Sequence, residues 1–504
     1  MEADIDEALT HQGPVEVLNG VLLPAMKDVG DRFGAGELIL PFVLQSAEVM
    51  KKSVAHLEQF LERKEGYTKG KVVLATVYGD VHDIGKNLVN TILSNNGYTV
   101  FDLGKQVPLN TIIDKAVEVG ADAIGLSALL VSTSKQMPLC VQELHKRGLD
   151  FPVVVGGAAI NKAYSNRILF VDERQERPYD PGVFYAKDAF EGLDIMDTLM
   201  TPERRPDFVA ATVRSAREAL GRARPAPTAP TVAVPATSNT DRDVPAPAPP
   251  FWGSRTLDGI DLEKVFRFLT LRSLFRLQWG AKGVKGDDWV RLLKDDFMPR
   301  LRAMQREALA QGWLRPRAVY GYYPAAAEGD DLLVYDPVDP ERVLQRFHFP
   351  RQPAEERLCL ADYFAPVESG RRDLVAFQAV TMGARATELV DELQAEGHYA
   401  DAYYTHGLGV ESAEALAEYL HRHINRELGL PRTRGKRYSW GYPACPDLEE
   451  HVKVFALLPQ ARDIGLRLTE AYQLVPEQST VAIIAHHPQA KYFAARTSPR
   501  STTD

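Results

Sequence analysis

Between residues 71 and 200, short β-branched apolar runs alternate with longer stretches of helical periodicity, and this alternation restricts the fold more than any other feature. Strands are predicted at 72–77, 99–103, 123–127, 153–155 and 183–185. Helices are predicted at 87–94, 110–119, 135–146 and 161–169, with 190–200 closing the unit. The runs are too short for helices and carry no polar alternation, so each reads as a strand covered on both faces. Strands separated by helices pair in parallel. The result is a doubly wound α/β sheet with its site at the carboxyl ends of the strands, in the flavodoxin-like order 2-1-3-4-5.

The flanking regions differ. Residues 1–66 read as helical, with apolar positions at three- and four-residue spacing over 15–33 and 38–61 and a break at Gly34-Ala35-Gly36. Residues 206–252 read as a linker, densest in Ala, Pro and Thr from 221 to 250, a composition that builds no core. Residues 253–504 form a second folded region of mixed α and β character, with charged helices at 287–306 and 411–427. At 504 residues the chain is too long for a single core. A net charge of −9 with no basic stripe excludes nucleic acid as a partner. No apolar run reaches the roughly 18 residues of a membrane span, and the acidic N-terminus lacks a signal-peptide pattern. Cys140, Cys359 and Cys445 are widely separated and give neither a zinc site nor a disulfide framework. These features predict a cytoplasmic protein.

The loop after the first strand reads Gly79-Asp80-Val81-His82-Asp83-Ile84-Gly85-Lys86-Asn87. A glycine-rich loop in this position normally cradles a phosphate with bare N–H groups, but carboxylates would repel one. A histidine two residues beyond an aspartate suits a metal ligand whose tautomer is held by a carboxylate. The simpler alternative is a loop histidine capped by local acids. Ser127 ends the third strand and Gly156-Gly157 ends the fourth, so both converge with this loop at one crevice. Gly85 and the glycine pair permit close backbone approach there.

Asp80, His82 and Gly85 make the Asp-x-His-x-x-Gly motif, and with Ser127 and Gly156-Gly157 the segment resembles the cobalamin-binding proteins. The resemblance implies a cobalamin tail in the crevice and His82 as lower cobalt ligand. Asp80 would take the other imidazole N–H. The family's serine for extending this relay falls on Thr133, flanked by the hydroxyls of Ser132 and Ser134. Gly79, Val81, Asp83 and Ala189 complete the implied lining, and Val131 stands where the family has a threonine. Residues 1–66 resemble the helical cap bundle of methyl-transferring members, with Phe33, Ile39, Leu40 and Val43 over the methyl-bearing face. An adenosylcobalamin mutase subunit or a cobalamin-based sensor would share the loop.

In the second region, Arg315 to Pro324, Ala417 to His421 and Arg437 to Pro446 join aromatic rings with Gly, Pro and charge. Such loops make rigid walls, and an arginine with a glutamate can hold a zwitterion. The run Gly441-Tyr442-Pro443-Ala444-Cys445-Pro446 resembles the reactivation domain of cobalamin-dependent methionine synthases, an α+β domain that binds S-adenosylmethionine. That resemblance implies Arg437 on the ligand carboxylate, Tyr442 and Glu418 at the site, and Tyr492 and Phe493 at the adenosine end. Leu271 stands where the family has an aspartate, which removes an ammonium contact. Taken over the whole chain, the resemblance implies a cap at 1–66, a cobalamin domain at 67–205, a linker at 206–252 and a reactivation domain at 253–504. It further implies a reductase such as flavodoxin as partner, with homocysteine- and folate-binding modules supplied from elsewhere.

Overall fold

An apolar run without polar alternation forms a strand only where both faces are covered, and Lys71–Thr76 (β1) buries five of its six residues. The computed structural model describes residues 1–57, 59–60, 68–129, 131–172, 176–222, 238–353 and 356–493. In it β1 is joined by β2 (Thr99–Asp102), β3 (Ala123–Ser127), β4 (Val153–Gly156) and β5 (Val183–Tyr185). All four pairings are parallel, in the order β2-β1-β3-β4-β5 expected from the sequence. Thr76 lies opposite Ser127, and Ser127 opposite Gly156. The first loop, Ser127 and the glycine pair therefore share one edge of the sheet.

Helices α1 (Glu2–Leu9), α2 (Leu23–Gly34) and α3 (Leu40–Leu57) precede the sheet. Its faces are covered by α4 (Ile84–Asn95), α5 (Leu109–Val119), α6 (Gln136–Lys146), α7 (Lys162–Ile168) and α8 (Ala189–Leu199). Alternation along β1 assigns Val73 and Ala75 to the layer with Ile112, Met137 and Leu144. Val72 faces the other layer, with Leu93, Phe184 and Met196. Met26, Val43, Ala47 and Met50 from the leading helices share a further core with Ile92 and Ala189. Gly30 marks their closest approach to α8, because a Cβ there would come within 2.6 Å of the Phe190 ring.

The stretch expected as linker is not uniform. Residues 206–222 are helical, within α9 (Arg205–Arg222), and Ala216 is buried in the same core as Ile168. Averaging composition over 206–252 concealed this helix. Its only proline, Pro206, sits in the first turn, where a missing N–H costs nothing. Residues 223–237, the Pro-rich centre of the expected linker, lie outside the described residues. From Ser238 the chain has no regular structure as far as β6, yet it is anchored. Ser238 Oγ donates to Asp362 at 2.7 Å, Arg242 ion-pairs with Asp362, and Gln489 Oε1 accepts from Asp241 N–H at 2.9 Å.

Cα packing divides the chain into two compact units. The first holds residues 1–227 with 279–285 and 392–404, and the second holds 228–278, 286–391 and 405–504. The second contains a seven-stranded sheet with β6 (Gly253–Leu257), β7 (Arg317–Glu328), β8 (Asp331–Tyr335), β9 (Val343–His348), β10 (Asp373–Thr381), β11 (Lys436–Ser439) and β12 (Ser479–Ala485). Its order is β11-β12-β10-β7-β8-β9, with β6 on β7 and every pairing antiparallel. All nine residues of β10 are buried. The long helix α10 (Tyr399–Glu427) crosses this strand, and Gln378 Nε2 donates to the Ala417 carbonyl at 3.3 Å. Thus the charged helix expected at 411–427 is the last part of a longer one. The one expected at 287–306 runs unbroken from Gly286 to Gln311, with a π-helical segment at Leu293–Phe297.

Candidate functional site

The first site is built on the loop after β1. Gly79 has φ +80, a conformation that glycine adopts without strain. The turn it permits brings the Asp80 side chain inward, where it is fully buried. Asp80 Oδ1 accepts from His82 N–H at 3.0 Å and pairs with His82 Nδ1 at 2.7 Å. Its Oδ2 accepts from Thr133 Oγ1 at 2.6 Å and from Leu129 N–H at 2.8 Å. Burial alone would raise the Asp80 pKa. The bonds and charge of His82, with Thr133, outweigh it and hold the carboxyl below the usual range. Asp80 is therefore an ionised acceptor that fixes the proton of His82 on Nδ1. With that proton on Nδ1 the ring's lone pair is on Nε2, on a side chain 23% exposed.

Thr133 sits on Asp80, whereas Ser134 is buried and its carbonyl accepts from Tyr164 Oη at 2.5 Å. The side chains of Val131 and Ser132 lie outside the described residues.

Beside this relay a crevice of about 420 Å³ runs between the sheet and helices α4 and α8. Phe33, Leu40, Gly85, Ser127, Gly156, Gly157 and Ala189 all line it. A Cβ on Gly85 would meet no atom within 4 Å, so the glycine leaves open space for a bulky group. Gly157 is constrained by the fold itself. At φ +117 its Cβ would fall 2.1 Å from the Ala128 carbonyl oxygen. Ile39 and Val43 are buried, and Val43 belongs to the core shared by the leading helices rather than to the crevice lining. Gly79, Val81 and Asp83 shape the loop and do not line the crevice. Sequence reading missed Lys86, which is 2% exposed and ion-paired with Asp102 at the end of β2. The signal available was a lysine inside the motif loop.

The second unit holds a cavity of about 1390 Å³. Glu418, Arg437, Tyr442, Tyr492 and Phe493, distant in sequence, line it together. Arg437 comes from β11 and donates through Nη2 to Glu414 at 2.8 Å, while its Nη1 is buried without a partner among the described residues. Gly441, at φ +89, donates to the Cys445 carbonyl at 2.9 Å, and the turn exposes Tyr442 to the cavity. Cys445 is no nucleophile, because burial pushes its thiol pKa up and Sγ donates to the Ser439 carbonyl. Glu411 and Glu414 also line the cavity and escaped sequence reading. With Glu418 they lie three and four residues apart, the spacing that places side chains on one helical face. No helix among the described residues is long and apolar enough to cross a membrane.

These two sites, on a parallel α/β domain and an antiparallel-sheet domain, define a protein that joins a B12-type binding domain to an activation domain. Residues 1–58 and 70–194 match B12 binding domain families, and residues 256–500 match the vitamin B12 dependent methionine synthase activation domain. By these matches the chain is similar to the C-terminal half of vitamin B12-dependent methionine synthases. The methionine synthase of Mycobacterium tuberculosis (strain ATCC 25618 / H37Rv) is 42% identical over 539 aligned residues, covering 98% of this chain and 44% of that protein. That of Mycobacterium leprae (strain TN) is also 42% identical, over 98% of this chain and 45% of its own length. The chain thus spans less than half the length of these relatives. Among solved structures, the MetH reactivation domain bound to AdoHcy is 28% identical with a TM-score of 0.44, covering 50% of this chain and 83% of that one.

Proposed function

We propose that this chain is the cobalamin-carrying and reactivation part of a methionine synthase. The observation that carries the reading is the Thr133–Asp80–His82 relay beside an open crevice floored by glycines. Bound cobalamin would supply the cobalt centre that carries a methyl group and is reset by reductive methylation with S-adenosylmethionine. His82 would offer Nε2 as the lower cobalt ligand. Asp80 holds the proton on Nδ1, and Thr133 holds Asp80, so the imidazole's basicity is set from behind. Gly85 and the Gly156–Gly157 pair leave room for the cofactor's tail, with Phe33 and Leu40 over the crevice mouth as part of a helical cap.

The second unit would bind S-adenosylmethionine, with Arg437 on its carboxylate and Tyr442, Tyr492 and Phe493 as aromatic walls. The electron would come from a reductase such as flavodoxin. The homocysteine and folate modules would belong to a longer chain or separate subunits, in the cytoplasm.

Reconstitution with methylcobalamin tests the first site. The absorption spectrum should report histidine ligation, and His82→Gly should remove that signature. An unchanged spectrum rejects His82 as ligand. Reduction with methyl-labelled S-adenosylmethionine should place label on the cofactor, and absence of transfer rejects the reactivation role.

A further inference from the structure

Glu411 is the most deeply buried carboxylate in the cavity of the second unit, 4% exposed, and no described cation is ion-paired with it. It accepts from Ser273 Oγ at 2.8 Å and from Thr270 N–H at 3.2 Å. Both donors are neutral. Burial, the largest influence, raises its pKa together with the charge of Glu414, opposed by these two bonds and by the charge of Arg437, which is not in contact with it. A buried carboxylate without a cation in contact is unfavourable unless a positive group arrives to meet it.

The other cavity carboxylates are already answered. Glu414, 42% exposed, sits on Arg437. Glu418, 35% exposed, accepts from Arg422 Nε at 2.8 Å. Arg437 for its part has a buried Nη1 without a partner among the described residues. One cavity therefore holds a buried carboxylate with no ion-pair contact among the described residues and a cationic donor with an unmet Nη1, the pattern that suits an amino-acid zwitterion.

We infer that Glu411 binds the ammonium group of the ligand's amino-acid moiety, with Arg437 on its carboxylate. This rests on the reading that the cavity takes S-adenosylmethionine. It also resolves the departure at position 271. Leu271 is 41% exposed and outside the cavity lining. The negative charge comes instead from the facing helix, delivered onto the same turn through Thr270 and Ser273. The charge at the site is retained although the residue supplying it has moved to another element.

Calorimetric titration of the intact chain with AdoHcy and with its desamino analogue, which keeps the carboxylate and lacks the ammonium, tests this. The unaltered chain should prefer AdoHcy. Glu411→Gln should weaken AdoHcy by about tenfold or more, the scale of a charge-assisted bond, and leave the analogue unchanged. Equal losses on both ligands would make Glu411 merely structural and overturn the inference, as would no loss on AdoHcy. If Glu411→Gln fails to fold, the unaltered chain still decides, since equal affinity for the two ligands refutes an ammonium site. Failure of the unaltered chain to bind AdoHcy at all would overturn the underlying reading and the inference with it.

Discussion

Two glycines of the crevice separate ligand binding from folding. Gly85 has open space where a Cβ would go, whereas a Cβ on Gly157 would collide with the backbone of Ala128. Gly85→Leu should leave the melting temperature nearly unchanged and abolish retention of cobalamin on gel filtration. Gly157→Ala should cost more than about 2 kcal/mol of stability, because a non-glycine residue at φ +117 is strained as well as crowded. His421 offers a pH test. It is buried with Nε2 unpartnered, and burial lowers its pKa to about 4 despite the nearby charge of Glu418, while Arg437, Lys436 and Arg422 push the same way as burial. Since the unfolded histidine titrates near 6.5, its contribution is intact above that pH. As pH falls from 6.5 towards 4 the unfolded chain takes the proton first, removing about 1.4 kcal/mol per unit. His421→Leu should flatten the acid limb of the second unit's melting curve between pH 6.5 and 5. A curve parallel to that of the unaltered protein would refute this. The relay was legible in sequence because Asp80 and His82 are neighbours. Thr133 required the fold, since nothing in the sequence separates it from the hydroxyl residues on either side. Glu411 had no local signal at all, as its partner Ser273 lies 138 residues away.

Elements were legible where the pattern was local and unmixed. β3 and β5 fall where periodicity placed them, and the parallel order followed from the intervening helices. α9 was lost because its residues were averaged with the Ala/Pro stretch that follows. The start of α10 was missed because its first turns are rich in tyrosine, alanine and glycine and carry little charge pattern. The anchored segment after Ser238 was not foreseeable, since its contacts are polar and distant in sequence. Its centre is Asp362, fully buried, which accepts from Arg351 Nη1 at 2.6 Å and Nη2 at 2.9 Å besides its contacts with Ser238 and Arg242. Burial would raise its pKa, but the guanidinium groups and Ser238 hold it below the usual range. Asp362→Ala should remove one of the two carboxylates on Arg351, itself 8% exposed, at a cost of roughly 1–3 kcal/mol, because Asp330 still pairs with the guanidinium at 2.7 Å. Scanning calorimetry should show the second unit's transition falling and the first unit's unmoved. Arg242→Ala should cost much less, because Arg351 still satisfies the carboxylate.

At the scale of the whole molecule the two sites lie on separate compact units. If the proposed reactivation is correct, label transfer from S-adenosylmethionine should be lost by His82→Gly and by Arg437→Ala, through different steps. The first variant should still bind AdoHcy, and the second should still show the histidine-ligated spectrum. A variant that lost both properties would indicate one shared fold defect. The anchoring at Asp362 has a kinetic consequence. Only residues 223–237 separate the end of α9 from Ser238, so the connecting contour is at most about 55 Å, not the span of the whole 206–252 stretch. Covalent continuity makes any step that brings residues 1–222 to residues 238–504 first-order and insensitive to dilution, whereas cutting within 223–237 would make it bimolecular.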